Sequence, residues 1–577
     1  MKYVKYFLLG SLFVLSVSCN DSFLERLPES ELSPETYFKT ENELISYTNS
    51  FYPMIRSWEE IWSTRFGDDE ARFSVDELKR GNRTVPTTGG GWTWTDLRKI
   101  NFFLDNIGNF TGDESIKNKY VGMARFFRAL FYFRKVKMFG DVPWYSHTLS
   151  TEDDGLEKAR DPRSLVVDSI LADLDFAADN LDEQRDAEHI TKWTALALTS
   201  RVALFEGTFR KYHGLGNAEE MLSKCVSASN ALMQNSGYEI YKSTPANAYY
   251  ELFSNKDPKD EEIILAKEFD FDQNVTDPVD FRTNSSSYGR PGVTKAVINS
   301  YLMKDGSRFT DLPGHNKMVF KEEVKNRDPR LTQTIVTPGN PHTDRTVPDF
   351  TACLTGYQYI KYIGDPTYFN SGSDYALPVY RYAEVLLNDA EAKAELGTIT
   401  QSDLDQTIGR LRDRVGMPNL ILADANANPD PFLEKQYPNV TGANKGVILE
   451  IRRERRIELL REGFRQDDLM RWKAGPLFAS TSYGLYFPGA GNYDLDGDGD
   501  IDFIIYENNP PSSVPNNAQV YSLESLHLEN GKNGGRIIVN GDIVKAFDED
   551  KDYLYPLPLQ DLLLNKNLEQ NPGWDSQ

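Results

Sequence analysis

Apolar residues recur at three- and four-residue spacing through the first half of the chain, in Glu41–Trp58, Trp94–Phe110, Glu114–Phe139, Ser164–Leu181, Ile190–His213 and Ala218–Met233. This is the pattern of amphipathic helices. In the third window Val121, Ala124, Phe127, Leu130, Phe131, Arg134 and Met138 mark the stripe. "FGDVPW" ends it, because Gly140 tolerates a left-handed C-terminal residue and Pro143 cannot continue a helix. Successive paired helices of this length predict a mainly α fold, a TPR-like array. From Tyr238 to Leu377 the texture changes: Gly, Pro, Asn and Asp are frequent, and strand-like runs such as "EIILAKEF" are short. Helical spacing returns at Tyr380–Leu396, Ser402–Val415 and Lys445–Lys473, and a second irregular stretch covers Gly475–Asp552. Residues 19–237 thus read as a helical region. Residues 238–577 read as a region with loop-rich insertions, packed with the first as one unit. Long irregular stretches in a folded chain are often functional surface.

The window after Lys445 holds the densest charge. "EIRRERRIELLREGFR" (Glu450–Arg465) contains six arginines and four glutamates. On a helical wheel Val447, Ile448, Ile451 and Leu459 share one side, and Leu449, Ile457, Leu460 and Phe464 another. Apolar residues on two faces predict a helix buried between neighbours. Glu450, Glu454, Glu458 and Glu462 form a four-residue ladder, which elsewhere ligates metals or supplies an acid–base pair. No histidine stands near it and arginines flank it, so ion pairing is expected, Glu458 with Arg455 and Arg461 and Glu462 with Arg465.

Composition changes the picture in two ways. The 577 residues carry 64 Lys+Arg against 87 Asp+Glu, a net charge of −23, which argues against a nucleic-acid partner. Aromatics reach 12%, so some are available for binding surfaces. The N-terminus, "MKYVKYFLLGSLFVLSVSC", has two lysines, a short apolar run and then small residues. This is the layout of a signal peptide, residues 1–18, and its apolar run is too short for a membrane span of ~20 residues. Cys19 after Ser18 is similar to a bacterial lipobox, so the mature chain is expected to be lipidated at Cys19 and tethered by acyl chains. Cys225 and Cys353 permit one disulfide but make no framework.

Three stretches carry candidate chemistry. In "YDLDGDGDIDF", Asp494, Asp496, Asp498, Asp500 and Asp502 match the odd-numbered positions of an EF-hand-type loop, with Gly499 at the sixth. Five alternating carboxylates favour a structural Ca²⁺, although Ile505 stands where the bidentate Glu belongs. "SWEEIWSTRFGDDE" and "GGGWTWTDLRKIN" offer Trp92 and Trp94 on a glycine-rich approach to a helix capped by Thr93 or Thr95, with Asp68 and Asp69. Flat apolar faces beside fixed carboxylates suit a sugar ring. "SSYGRPG" and "GYQYIKY" add Tyr288, Arg290 and Tyr357. No HExxH, P-loop or GxSxG pattern occurs, while a glycosidase would need only two carboxylates.

Four blocks bring these features together: "ARFFRALFYFRKVKMFGDVPW", "YRYAEVLLNDAEAKAELG", "EIRRERRIELLREGFRQDDLMRW" and "YPLPLQDLLLNKNLEQNPGW". In this order, and behind a lipobox, they resemble the SusD/RagB family of outer-membrane lipoproteins. The resemblance implies four TPR-like helix pairs supporting an irregular ligand-binding side. It implies a non-catalytic lipoprotein at the cell surface that binds glycan, or peptide in some relatives. It also implies a SusC-like TonB-dependent transporter as partner, on which such proteins sit as a lid. A lipid-anchored glycoside hydrolase is the alternative from another class.

Overall fold

The structure, a computed structural model, describes residues 37–574 apart from 56, 63–66, 151–152, 365–366 and 369–371. The expected signal peptide and Cys19 lie outside the described residues. The helical half runs α1 (Glu41–Asn49), strand β1 (Glu70–Ala71), α2 (Thr95–Asn106), α3 (Glu114–Phe139), α4 (Arg163–Asn180), α5 (Lys192–His213) and α6 (Ala218–Asn235). Next come β2 (Ile263–Lys267), α7 (Val279–Asn284), β3 (Gly292–Val293), β4 (Leu377–Arg381), α8 (Tyr382–Leu396) and α9 (Ile408–Arg414). The chain continues through α10 (Lys445–Glu458), α11 (Arg465–Arg471) and β5 (Ser482–Phe487). It closes with β6 (Gly491–Tyr493), β7 (Phe503–Tyr506), β8 (Gln519–Ser522), β9 (Gly535–Val539) and α12 (Leu559–Leu564), with short helical turns between. Helix α3 packs on α4 and α5 on α6, and the stack continues through α8 to α10, the TPR-like array that the periodicity predicts. Gly207 lets α5 and α6 approach: a Cβ there would lie 2.8 Å from Leu222.

Element boundaries differ from expectation where local chemistry overrides periodicity. The window Glu41–Trp58 breaks after Asn49 and re-forms as a turn at Tyr52–Met54, since Pro53 cannot donate to a continuing helix. Helix α2 starts at Thr95 with Trp94 at the N-cap and no side-chain capping bond, so neither Thr93 nor Thr95 caps it. The window Tyr380–Leu396 opens as strand β4, which pairs antiparallel with β2.

The largest correction concerns the arginine-rich segment. Helix α10 ends at Glu458, and Leu459–Phe464 form a turn in which Arg461 and Gly463 have φ of 62° and 75°. Arg461 is held in this left-handed conformation by its own side chain. The guanidinium donates to the Lys361 carbonyl at 3.0 Å and to Thr283 Oγ1, and lies 4.2 Å from the Tyr359 ring. The ladder therefore stops at Glu458, and Glu462 belongs to the turn.

Two hydrophobic cores meet at this segment. Val447, Ile448, Leu449, Ile451, Leu459 and Phe464 join the core of the helical array. Ile457 and Leu460 join a second core, built from the irregular stretches around Val293, Tyr359, Leu485 and Phe503. The segment is buried on both sides, as expected, with Leu449 and Phe464 on the helical side.

The expected pairing within the helix is corrected too. Glu458 is not bonded to Arg455 or Arg461; it accepts from Arg414 at 2.5 Å, Arg381 at 2.7 Å and Arg330 at 3.0 Å. Glu462 pairs with Arg381 at 2.7 Å and Lys361 at 2.8 Å rather than with Arg465. Of the ladder, only Glu450 takes a partner from its own helix, Arg453 at 2.9 Å. Burial alone would raise the Glu458 carboxyl; Arg414, Arg381 and Arg330 reverse this and hold it far below the usual carboxylate range. Its stabilisation is complete above the unfolded glutamate pKa of ~4.3 and is lost as pH falls toward the folded value. The melting temperature should accordingly hold from neutral pH to about 5 and fall progressively below about 4.5. Glu458→Ala, which removes the carboxylate that three buried guanidiniums share, should cost about 3–5 kcal/mol in denaturant unfolding. A loss under about 1 kcal/mol would contradict the network's role.

Candidate functional site

Asp68 and Asp69 lie buried at a bend leading into β1. Arg465 donates to Asp68 at 2.6 Å, and Arg456 bridges Asp68 at 3.0 Å and Asp69 at 2.8 Å. Burial would raise the Asp68 carboxyl, but the two guanidiniums bring it down to about 2. Both carboxylates are buried and engaged in internal ion pairs rather than presented at the surface, which corrects the expectation. They tie the N-terminal segment to α10 and α11. Tyr357 is corrected in the same way: it is fully buried, and its hydroxyl donates to Glu323 at 2.7 Å.

The tryptophans do not meet these aspartates. Trp92 is buried, edge-on to Trp94 at 5.2 Å and to Phe139 at 4.9 Å, a packing ring rather than an exposed face. Trp94 is half-buried, with Tyr145 at 5.6 Å, and Lys135 lies 5.3 Å from its ring. Both line a cleft of about 630 Å³ closed by α12, with Arg98, Tyr145, His147 and Leu564 on its walls.

Tyr288 belongs to a different surface. Strand β1 pairs antiparallel with β3, Ala71 opposite Gly292. Gly292 is needed there, because a Cβ would lie 2.2 Å from Thr355 Oγ1. The pairing extends as Phe73 N–H donates to the Gly289 carbonyl at 2.9 Å, which brings the Phe73 backbone to the turn that follows Tyr288. Phe73 is 72% exposed and Tyr288 39%. Phe281 meets Tyr288 edge-on at 5.1 Å, and Arg282 lies 4.8 Å from the Tyr288 ring and 4.4 Å from the half-buried Trp58. Arg290, at φ 50°, turns its side chain to the Phe350 carbonyl. Trp58, Phe281 and Tyr288 thus gather around one guanidinium next to the β1–β3 bridge, with Tyr288 and the nearby Phe73 exposed. Sequence reasoning found Tyr288 but missed Phe73, Phe281 and Arg282. Trp58 lay in a stretch it singled out, with no signal of a partner more than two hundred residues away.

The aspartate loop joins β6 to β7 rather than two helices. Asp494, Asp496 and Asp502 present oxygens within 4.8 Å of one another. Asp498 and Asp500 are exposed and stand outside this group. Asp494 accepts the Gly497 amide at 2.5 Å, and Asp502 accepts the Leu495 amide at 2.8 Å. Lys321 lies 3.1 Å from Asp494, and Thr346 donates to Asp496 at 2.6 Å. Burial and the nearby Asp496 raise the Asp502 carboxyl. Three converging carboxylates match the donor set of a hard divalent cation. Ile505 is buried in β7, opposite Gly491, so the missing twelfth ligand has become a strand residue.

The four glutamates of the arginine-rich segment are all buried. They are ion-paired, so they offer neither a catalytic pair nor a metal site. Cys225 and Cys353 are buried free thiols.

Comparison with known proteins places these surfaces in context. A family model described as the SusD family matches residues 242–574, and one described as "Starch-binding associating with outer membrane" matches residues 22–204. SusD-like protein P38 of Formosa agariphila is 23% identical over 517 residues, 84% of this chain and 95% of the relative. SusD-like protein P2 of the same organism is 28% identical over 221 residues, 35% of this chain and 43% of that protein. A SusD-like carbohydrate-binding protein of Bacteroides fragilis superposes with a TM-score of 0.70 at 21% identity, over 92% of this chain and all of that one. A second SusD-like structure from B. fragilis gives 0.69 at 22%, over 95% of this chain and all of its own.

Removing the Asp68 carboxylate leaves Arg456 and Arg465 short of an anion. Asp68→Ala should therefore cost about 3–5 kcal/mol in denaturant unfolding. A stable variant that instead lost only ligand would return Asp68 to the binding site.

Proposed function

The chain belongs to the SusD family, and from that premise we propose that it is a non-catalytic, lipid-anchored glycan-binding protein of the outer-membrane surface. It captures an oligo- or polysaccharide and delivers it to a SusC-like TonB-dependent transporter. The family matches, and a structural neighbour described as a carbohydrate-binding protein, support the coarse reading. The observation that carries the site is the exposure of Phe73 and Tyr288, which flank the β1–β3 bridge, with Arg282 against the Tyr288 ring. Sugar rings present CH groups to flat apolar faces, and a platform fixed by backbone pairing holds such faces without an ordering cost on binding. No helix among the described residues is long and apolar enough to cross a membrane; acyl chains on Cys19 supply the tether in this reading. A second placement of the ligand is favoured by one observation, the Trp94-lined cleft.

Affinity electrophoresis against a polysaccharide panel separates these readings. Retardation by a glycan should fall roughly tenfold or more in Phe73→Ala/Tyr288→Ala and stay unchanged in Trp94→Ala. The opposite result moves the ligand to the cleft. Retention of peptides in place of glycans selects the peptide-binding alternative, and shortened glycan products select a hydrolase.

The loop of Asp494, Asp496 and Asp502 is proposed to hold Ca²⁺ as a structural ion, with Lys321 as counter-charge when it is absent. Ca²⁺ at a hundredfold excess over its dissociation constant should stabilise the protein by about 2.7 kcal/mol. The rise in melting temperature should vanish with EDTA and in Asp496→Asn. A melting temperature indifferent to both refutes the ion.

A further inference from the structure

We infer that Arg282 makes the platform selective for anionic saccharides, those bearing a carboxylate or a sulfate ester. This rests on the glycan reading of the Phe73–Tyr288 surface and adds the class of sugar. Val279, Asp280 and Thr283 form the buried face of α7, and Phe281 and Arg282 lie half-buried on its other side. The helix is pinned by the Val279 amide on Asp277 at 2.9 Å. Its own carboxylate, Asp280, accepts from Asn284 at 3.0 Å and from the Gly364 amide at 3.3 Å.

The Arg282 guanidinium rests on Trp58 and Tyr288 and forms no ion pair with a described residue. Its Nε is buried and makes no hydrogen bond. By contrast, Arg381 in the interior of this chain of net charge −23 touches three carboxylates. Flanking rings fix the orientation of a guanidinium and strip water from its faces, and its two terminal nitrogens, which donate to no described residue, can fork onto two anionic oxygens. A neutral sugar leaves that fork unused. Excess negative charge over the rest of the molecule disfavours polyanions in general, so one fixed cation beside the sugar-stacking rings decides which anions are accepted.

The test uses the full-length protein and two matched probe pairs: polygalacturonate against its methyl ester, and a sulfated galactan against its desulfated form. Wild type should bind the anionic member of at least one pair more tightly, with an advantage that shrinks as salt rises; which pair responds distinguishes carboxylate from sulfate. Arg282→Gln should weaken binding of that member roughly tenfold to a hundredfold and leave its neutral counterpart unchanged. Arg282→Lys should retain part of the preference. An unchanged melting temperature for Arg282→Gln separates this effect from misfolding. Equal losses for both members of a pair, or a wild type without preference, overturn the inference while the glycan reading stands. Retention of no glycan, anionic or neutral, overturns both.

Discussion

A carboxylate stays ionised in a protein interior only if cations enclose it. Glu458 meets that condition with guanidiniums from three separate places. Arg330 comes from the irregular middle stretch, Arg381 from the end of β4 and Arg414 from the end of α9. Glu262, at the entry to β2, shares Arg381 and Arg414. Glu462 shares Arg381 and adds Lys361. The helical array and the loop-rich region each have their own apolar core, and this charge network fixes one against the other. Apolar contact alone is non-directional; forked guanidinium–carboxylate bonds specify register.

Rigidity at that junction reaches the surface. Arg456 and Arg465 grip Asp68 and Asp69, and the next two residues are β1. Backbone groups of Asp68 and Asp69 accept from Thr294, just after β3. The bridge that presents Phe73 and Tyr288 is thus anchored at its root by the same arginine-rich segment. Charge buried in the scaffold and rings exposed on the platform are two ends of one construction. Arg282 differs from the guanidiniums around Glu458, since Trp58 and Tyr288 flank it where carboxylates flank those.

Several features were legible because they are local. Helical spacing located α3, α4, α5 and α6, and "FGDVPW" located the stop: Gly140 at φ 72° follows Phe139. Apolar residues on two sides of α10 revealed a buried helix. Charge pairing was misassigned because sequence spacing supplies only partners three or four residues away. The true partners of Glu458 lie at 330, 381 and 414. The helical wheel also ran through Leu459–Phe464, where tertiary bonds to Arg461 hold a turn. Asp68 and Asp69 looked like sugar ligands because their arginines lie nearly four hundred residues downstream.

By itself the sequence determined the helical array, the family blocks and a chain that must bury an unusual density of arginine. The array and the arginine density follow from short-range periodicity and composition, and the family resemblance from the literal residues of the four blocks, none of which depends on long-range packing. Only the tertiary structure decided which charges are spent internally and which rings stay in solvent. Trp92 became core and Phe73 became surface because burial depends on what long-range packing lays over a residue, and neither side chain carries that information in its own neighbourhood.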